Sequence, residues 1–186
     1  MAIDPSRFAT SNVVDTCAVW NILSSRCLYA AALSARCHFV ITTYVEYECL
    51  RKRRTRTRAS DTELMSRLRT EQTNSRFISF SCDLSDLETL LEQRERLGKG
   101  EISSIAFAMK FRQAVLTDDQ KARGLATDAG QETVQTTPHL FSWLIYSRQL
   151  ADSDKDTVIA QHRELDGVLG KYLEDAYIVA LQCRPV

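Results

Sequence analysis

The chain has 186 residues, enough for one domain with a sizeable hydrophobic core and a small appendage. With 44% hydrophobic and 26% charged residues, its composition is that of an ordinary globular protein. No stretch approaches the roughly 18 uninterrupted apolar residues that span a bilayer, so we expect no membrane partner. The formal net charge is zero, from 24 basic and 24 acidic residues, and total charge therefore favours no class of partner.

The N-terminus and the cysteines indicate the compartment. The first residues, "MAIDPSRFATSN", lack the continuous apolar core of an export signal. The six cysteines form no Cys-x-x-Cys pair, and no Cys/His cluster has zinc spacing. An even number of cysteines would also permit disulfides, but without an export signal we predict a cytoplasmic protein with reduced thiols.

The predicted elements begin with a short apolar strand at residues 13–14. Residues 17–35 are rich in Ala and Leu and long enough for one helix. Residues 37–42 are brief and β-branched, which predicts a second strand. A helix is then expected over residues 44–50, continuing into the arginines that follow.

The middle of the chain repeats this alternation. Residues 58–72 predict a helix, and "RFISF" at 76–80 predicts a third strand. A helix follows over residues 85–98, with a glycine at its end. Residues 100–111 predict another, because their apolar side chains recur at i, i+3, i+4 and i+7.

The last third begins with a fourth strand in "AVLTDD", residues 114–119, which ends on two acids. Two helical stretches follow, over residues 138–150 and 158–182. The second carries an apolar stripe that either caps the core or forms a partner surface, made of Leu165, Val168, Leu169, Tyr172, Leu173, Ala176 and Tyr177.

Strands that alternate with helices predict right-handed βαβ crossovers. The expected fold is therefore a three-layer α/β/α arrangement around a small, mostly parallel, twisted sheet, with additional C-terminal helices. Ligands of such sheets bind at the carboxyl ends of the strands.

Acidic residues follow the predicted strands or open the helices after them. They are Asp15, Glu46, Glu48, Glu101, Asp118 and Asp119. A single acid at a helix start is explained by the helix dipole. Several carboxylates in one crevice repel each other, and without a cation some would have to stay protonated. Oxygen ligands without His or Cys suit Mg²⁺ or Mn²⁺, which commonly assist phosphoryl-transfer chemistry.

Four motifs, in order, resemble those of the PIN-domain ribonucleases: "VVDTCAVWNIL", "VITTYVEYECL", "GKGEISSIAFA" and "AVLTDDQKARGLA". The resemblance covers about residues 12–126. It implies a metal-dependent nuclease that hydrolyses phosphodiester bonds of single-stranded RNA with Mg²⁺ or Mn²⁺. On this basis we divide the chain into a tail (1–11), a PIN-like nuclease domain (12–130) and a helical extension packed on the same domain (131–186).

The resemblance also assigns residues. Asp15 matches the first acid of the family and Glu101 the third, with Glu in place of the usual Asp. Glu48 fits the second position better than Glu46, because it follows Val45 by three residues.

The fourth acid falls in "LTDD", where Asp119 fits better than Asp118. The implied catalytic set is Asp15, Glu48, Glu101 and Asp119. The candidate metal ligands are Asp15, Glu101, Asp118, Asp119 and Glu46. Thr16 and Thr117 are candidate substrate contacts.

A basic stretch, "RKRRTRTR" at 51–58, carries six positive charges in eight residues. It is either a solvated helix end or a surface that guides RNA phosphates to the acidic crevice. Four arginines are candidate substrate contacts, namely Arg51, Arg53, Arg54 and Arg123.

Other functions fit less well. A phosphoaspartate receiver has its acidic pair after the first strand, whereas this pair comes late in the chain. A haloacid-dehalogenase-type phosphatase needs an acid where Cys17 stands. A PIN-like binding module without activity remains the alternative. Many small PIN proteins are toxins, which makes an antitoxin protein a candidate partner, and the C-terminal helices offer a candidate homodimer surface.

Overall fold

A five-stranded parallel sheet forms the centre of the computed structural model, which describes residues 4–83 and 98–185. The spatial order is β3-β2-β1-β4-β5. The strands are β1 (Ser11–Val14), β2 (His38–Thr42), β3 (Ile78–Phe80), β4 (Ala114–Leu116) and β5 (Val134–Gln135). The predicted α/β/α fold with a parallel sheet is confirmed.

Nine α-helices lie in the described residues. They are α1 (Thr16–Ser24), α2 (Arg26–Ser34), α3 (Thr43–Leu50), α4 (Ala59–Thr73), α5 (Lys99–Phe111), α6 (Gln120–Asp128), α7 (Thr137–Tyr146), α8 (Lys155–Glu164) and α9 (Gly170–Cys183). A short 3-10 turn, Asp152–Asp154, precedes α8. None of these helices is long and apolar enough to cross a membrane.

The core lies on both faces of the sheet. Val13 and Val14 are adjacent on β1 and point to opposite faces, as strand geometry requires. Val13 joins a cluster with Ile105 of α5 and Leu125 of α6. Val14 joins a larger cluster with side chains from α1 to α4 and α7 to α9. Sheet and helices therefore form three layers.

The register of the strands brings the ends of β1 and β4 together. Val14 is paired with Leu116, and the backbone N–H of Asp15 donates to the Leu116 carbonyl at 3.2 Å. Thr117 continues β4 by donating its backbone N–H to Gln135 at 2.9 Å. Residues 15 and 117 thus lie side by side at the carboxyl edge. β5, beyond residue 130, belongs to this same sheet.

Three predicted elements need correction, and two observed elements were not predicted. Residues 17–35 form two helices, because Ser25 breaks the first and caps the second by accepting the Leu28 N–H at 3.1 Å. The arginines after Leu50 are not helical until α4 begins at Ala59. β5 and α6 were not predicted. The helix predicted over 85–98 lies, apart from Gly98, outside the described residues.

The helix predicted over 158–182 is also two helices. Asp166 at the break has a positive φ of 59°, and the Gly167 N–H donates to the His162 carbonyl at 2.9 Å. A Cβ at Gly167 would lie 2.3 Å from the His162 ring, so glycine is required there. The apolar stripe is consequently interrupted: Leu173 and Ala176 are buried, whereas Val168 is 83% exposed.

Candidate active site

Asp15 lies directly after β1 and caps α1. Its Oδ1 accepts the Ala18 N–H at 2.8 Å, and the Thr117 hydroxyl donates to Oδ2. The Cys17 thiol lies 3.1 Å from Oδ1 and donates to it. Only 1% of Asp15 is exposed. Burial raises the pKa of this carboxyl to about 7, against the hydrogen bonds, which lower it. The carboxyl group is thus fixed in place and costly to ionise.

Glu48 joins the same edge from α3. Its Oε2 accepts the Thr16 hydroxyl at 2.7 Å, and its Oε1 accepts the Gly100 N–H at 3.4 Å. Glu46, two residues earlier, instead pairs with Arg51 at 3.2 Å. The structure therefore places Glu48, and not Glu46, beside Thr16 and the start of α5.

Two glycines leave room for the carboxylates. A Cβ at Gly100 would lie 2.4 Å from Oε2 of Glu48, and one at Gly98 would lie 2.4 Å from Oε2 of Glu101. Gly98 has an ordinary φ of −69°, so space, and not backbone conformation, is the reason for glycine there. The "GKGE" motif thus supplies one acid, Glu101, and two glycines that leave room for the carboxylates of Glu101 and Glu48.

Glu101 lies in the first turn of α5 and is half-buried. Its Oε2 is buried and has no hydrogen-bond partner among the residues that the structure describes. Burial raises the pKa of Glu101, and the charges of Glu48 and Asp119 raise it further, while Lys52 lowers it. An unpaired carboxylate oxygen beside two other acids is a feature that a bound cation would stabilise.

Asp118 and Asp119 have different surroundings. Both oxygens of Asp118 are used within the protein: Oδ1 accepts the Thr137 N–H at 2.8 Å, and Oδ2 accepts the Thr137 hydroxyl at 2.6 Å and the Asn21 amide at 2.8 Å. Asp119 caps α6 through the Ala122 N–H at 2.8 Å. Asp118 therefore fastens α7 and α1 to the sheet edge, while the charge of Asp119 acts on Glu101.

The two threonines predicted as substrate contacts hold carboxylates. Thr16 donates to Glu48, and Thr117 donates to Asp15. Thr117 Oγ1 also accepts the Asp119 N–H at 3.2 Å. These hydroxyls therefore position the acidic side chains.

Three of the four predicted substrate arginines have partners within the protein. Arg54 pairs with Asp61 and lies over the Trp20 ring, 5.5 Å from its centroid. Arg123 donates to the Asp118 carbonyl at 2.8 Å, and Arg51 pairs with Glu46. Arg53 is exposed and has no ion-pair partner in the described part of the chain. Of these four arginines, Arg53 has its charge most available to a ligand.

The donor set can be compared with the needs of a metal. Carboxylates dominate it and imidazole is absent, which suits Mg²⁺ or Mn²⁺. The buried, unpaired oxygen of Glu101 also fits a cation. Within residues 4–83 and 98–185, however, no group of three or more His, Cys, Asp or Glu side chains is arranged to hold a metal ion. The residues fit a divalent ion by chemistry, and the carboxyl groups would have to move closer together to bind it.

No protein-family model, curated protein or solved structure matches the chain. The resemblance to PIN-domain ribonucleases thus stays a prediction from the motifs. Sequence reasoning did not predict that Gly98 and Gly100 leave room for carboxylates. The two glycines just before Glu101 in "GKGE" were the signal that could have indicated it. Sequence reasoning also missed Asn21 and Thr137, whose contacts with Asp118 leave no local signal.

Proposed function

We propose that this protein is a metal-dependent ribonuclease of the PIN-domain kind, which hydrolyses phosphodiester bonds of RNA. The observation that carries the proposal is the buried Oε2 of Glu101, which has no hydrogen-bond partner among the residues that the structure describes. The charges of Glu48 and Asp119 raise the pKa of this carboxyl, and Asp15 lies at the same edge of the sheet. Burial of unpaired charge is costly, and proteins that retain it at a strand edge commonly use it in function.

The acidic residues and the threonines would have different roles at this site. Asp15, Glu101 and Asp119 would hold Mg²⁺ or Mn²⁺, and Glu48 completes the pocket. Such an ion, when bound, supplies an activated water and offsets charge at the scissile phosphate. Thr16 orients Glu48 by its hydrogen bond.

Thr117 orients Asp15 in the same way, and the N-cap bond from Ala18 fixes the other Asp15 oxygen. These hydrogen bonds therefore fix the orientation of Asp15 and Glu48, although the acids must still approach one another to share an ion.

The substrate of the proposal is single-stranded RNA. The crevice itself is acidic and would repel phosphates, so cations beside it are needed for binding. Lys52, Arg53 and Arg56 are exposed and have no ion-pair partner among the described residues. They lie in the loop that follows the helix of Glu48, which places positive charge next to the acids.

The first test is RNA cleavage with Mg²⁺, with Mn²⁺ and with EDTA. Asp15→Asn should lower the rate by roughly 1,000-fold, because several kcal/mol of charge stabilisation depend on the metal. Asn is as good an N-cap as Asp, so α1 should remain intact. Glu46→Gln is the matched control, since Glu46 pairs with Arg51, and it should cleave like the wild type. Unchanged cleavage by Asp15→Asn would exclude this assignment.

A binding module without activity is the second candidate. It is favoured by the lack, in the described residues, of three acids arranged around one ion. Calorimetric titration with Mn²⁺ separates the two functions: the nuclease should show a binding site that Asp15→Asn removes. A wild-type protein that neither binds Mn²⁺ nor cleaves RNA would exclude the nuclease and favour the binding module.

A further inference from the structure

A groove opens beside Glu48, between α3 and the start of α5, with a volume of about 450 Å³. This volume lies within the range of roughly 300–1,000 Å³ that is typical of small-molecule sites. Six of its lining residues matter here: Tyr44, Tyr47, Glu48, Lys52, Gly98 and Lys99. Since Glu48 belongs to both, the groove is continuous with the acidic crevice.

Two tyrosines form the aromatic part of the groove. They lie three positions apart on α3 and therefore on the same side of the helix. Tyr44 is partly buried and packs against the cluster beneath α5. Tyr47 is 53% exposed and contributes to no core cluster in the described residues. Its ring offers a flat surface on which a nucleobase can stack.

Two lysines supply the charge. Lys52 and Lys99 have no ion-pair partner among the described residues, and both are exposed. The Lys52 N–H donates to the Tyr47 carbonyl at 2.8 Å, which fixes the lysine backbone relative to the tyrosine. The charge of Lys52 also reaches the crevice, where it lowers the pKa of Glu101. Cations at the border between an aromatic surface and an acidic site complement a phosphate that joins two nucleotides.

We infer that this groove binds the nucleotide next to the scissile phosphate of a single-stranded RNA, with its base stacked on Tyr47 and its phosphates held by Lys52 and Lys99. The inference rests on the proposed function, because it takes the acids as the site of cleavage. It adds a positioning role for three residues outside the acidic set. It also explains how an acidic crevice retains a polyanion.

The test measures RNA binding without cleavage. The protein is the full chain with Asp15→Asn, in EDTA, and the probe is a fluorescently labelled single-stranded oligoribonucleotide followed by anisotropy. Adding Tyr47→Ala should weaken binding by about fivefold to 100-fold, the usual loss for one stacked base. Tyr47→Phe keeps the ring and should bind like its parent. Tyr172→Ala is the matched control, since Tyr172 is 61% exposed on α9, away from the groove.

The lysines are tested by salt dependence. Lys52→Gln and Lys99→Gln should each reduce the slope of log K against log salt by about 0.7, as expected for one lost phosphate contact to a single strand. Lys171→Gln, on α9, should leave the slope unchanged. An oligonucleotide that carries an abasic site at the stacked position should bind equally to the parent and to Tyr47→Ala.

The outcomes separate this inference from the proposed function. If the wild type cleaves RNA but Tyr47→Ala binds it as tightly as Tyr172→Ala does, the groove inference is wrong and the ribonuclease stands. If Tyr47→Ala weakens RNA binding while the wild type cleaves in no metal, the groove holds RNA and the protein is a binding module. Undiminished RNA binding by Tyr47→Ala would overturn the inference whether or not the wild type cleaves RNA.

Discussion

Gly100 leaves the space in which the Glu48 carboxylate lies, although glycine is a poor helix former. It is the second residue of α5, where alanine favours the helix over glycine by at most about 1 kcal/mol. The added Cβ would lie 2.4 Å from Oε2 of Glu48 and would push that carboxylate away from Thr16. We therefore predict that Gly100→Ala leaves the free energy of unfolding about unchanged, because loss of the Thr16–Glu48 hydrogen bond offsets the gain in helix propensity. RNA cleavage should fall by ~100-fold, as a displacement of about 1 Å can cause. Urea unfolding and the cleavage assay check both parts.

Gly124 provides the matched control. It lies in α6, and a Cβ there would meet no atom within 4 Å. Gly124→Ala should raise the free energy of unfolding by about 1 kcal/mol and cleave like the wild type. If Gly100→Ala were equally active, the position of the Glu48 carboxylate would not matter for cleavage.

At the scale of elements, the junction between α8 and α9 depends on a neutral histidine. His162 is buried, its Nε2 accepts the Leu169 N–H at 3.0 Å, and its Nδ1 lies 2.6 Å from the Ser24 hydroxyl oxygen. Nε2 can accept only while unprotonated, so Nδ1 carries the proton and donates to Ser24. The ring thereby fastens the junction to α1.

Burial lowers the pKa of His162, although the charge of Asp118 opposes this. On acidification, His162 takes up a proton near pH ~6.5 in the unfolded chain but only at a lower pH in the folded chain. The contribution of His162 to stability should be complete above this pH and should fall as the pH falls through the lower pKa of the folded state. Asp15, whose pKa burial raises to about 7, contributes with the opposite sign in this range. The loss from His162 is at most ~1.4 kcal/mol per pH unit. Urea unfolding between about pH 8 and about pH 5 measures it.

Two variants isolate this effect from other titrating groups. His162→Gln should be less stable than the wild type at neutral pH but should show a smaller decline on acidification. His38→Gln, at an exposed position on β2, should keep the wild-type decline. An equal decline in wild type and His162→Gln would assign the acid sensitivity to other groups.

At the scale of the whole molecule, the parts predicted from sequence are those with local signals. The alternation of β-branched runs with helical periodicity predicted four of the strands and the layered fold. β5 has two residues, Val134–Gln135, too few for any periodicity. The break at Ser25 was missed because residues 17–35 contain no Gly or Pro to mark it. The junction after α8 depends on the packing of Gly167 against His162, a tertiary contact.

The candidate site follows the same rule. Asp15 and Glu101 were identified because a strand end and a helix start are local features. The structure separates Glu48 from Glu46 only through contacts with Thr16 and Gly100, which come from distant parts of the chain. The hydrogen bonds of Asp118 to Thr137 span 19 positions and are equally invisible in a local pattern. Local patterns thus predicted which edge of the sheet carries the acids, and tertiary contacts determine which acids lie beside one another there.

If these acids hold a divalent ion as proposed, the stability of the whole protein should depend on that metal. Burial raises the pKa of Asp15, and burial together with the charges of Glu48 and Asp119 raises that of Glu101, so ionising these acids opposes folding unless a cation offsets the cost. Mn²⁺ at about 100 times its Kd should raise the free energy of unfolding of the wild type by ~2.7 kcal/mol. Asp15→Asn should gain nothing from Mn²⁺, yet in EDTA it should be more stable than the wild type, because it buries no ionisable carboxyl. Thermal unfolding with and without Mn²⁺ measures both effects, and Glu46→Gln should respond like the wild type. A wild-type melting temperature that Mn²⁺ leaves unchanged would mean that the acids are held at the sheet edge without any metal.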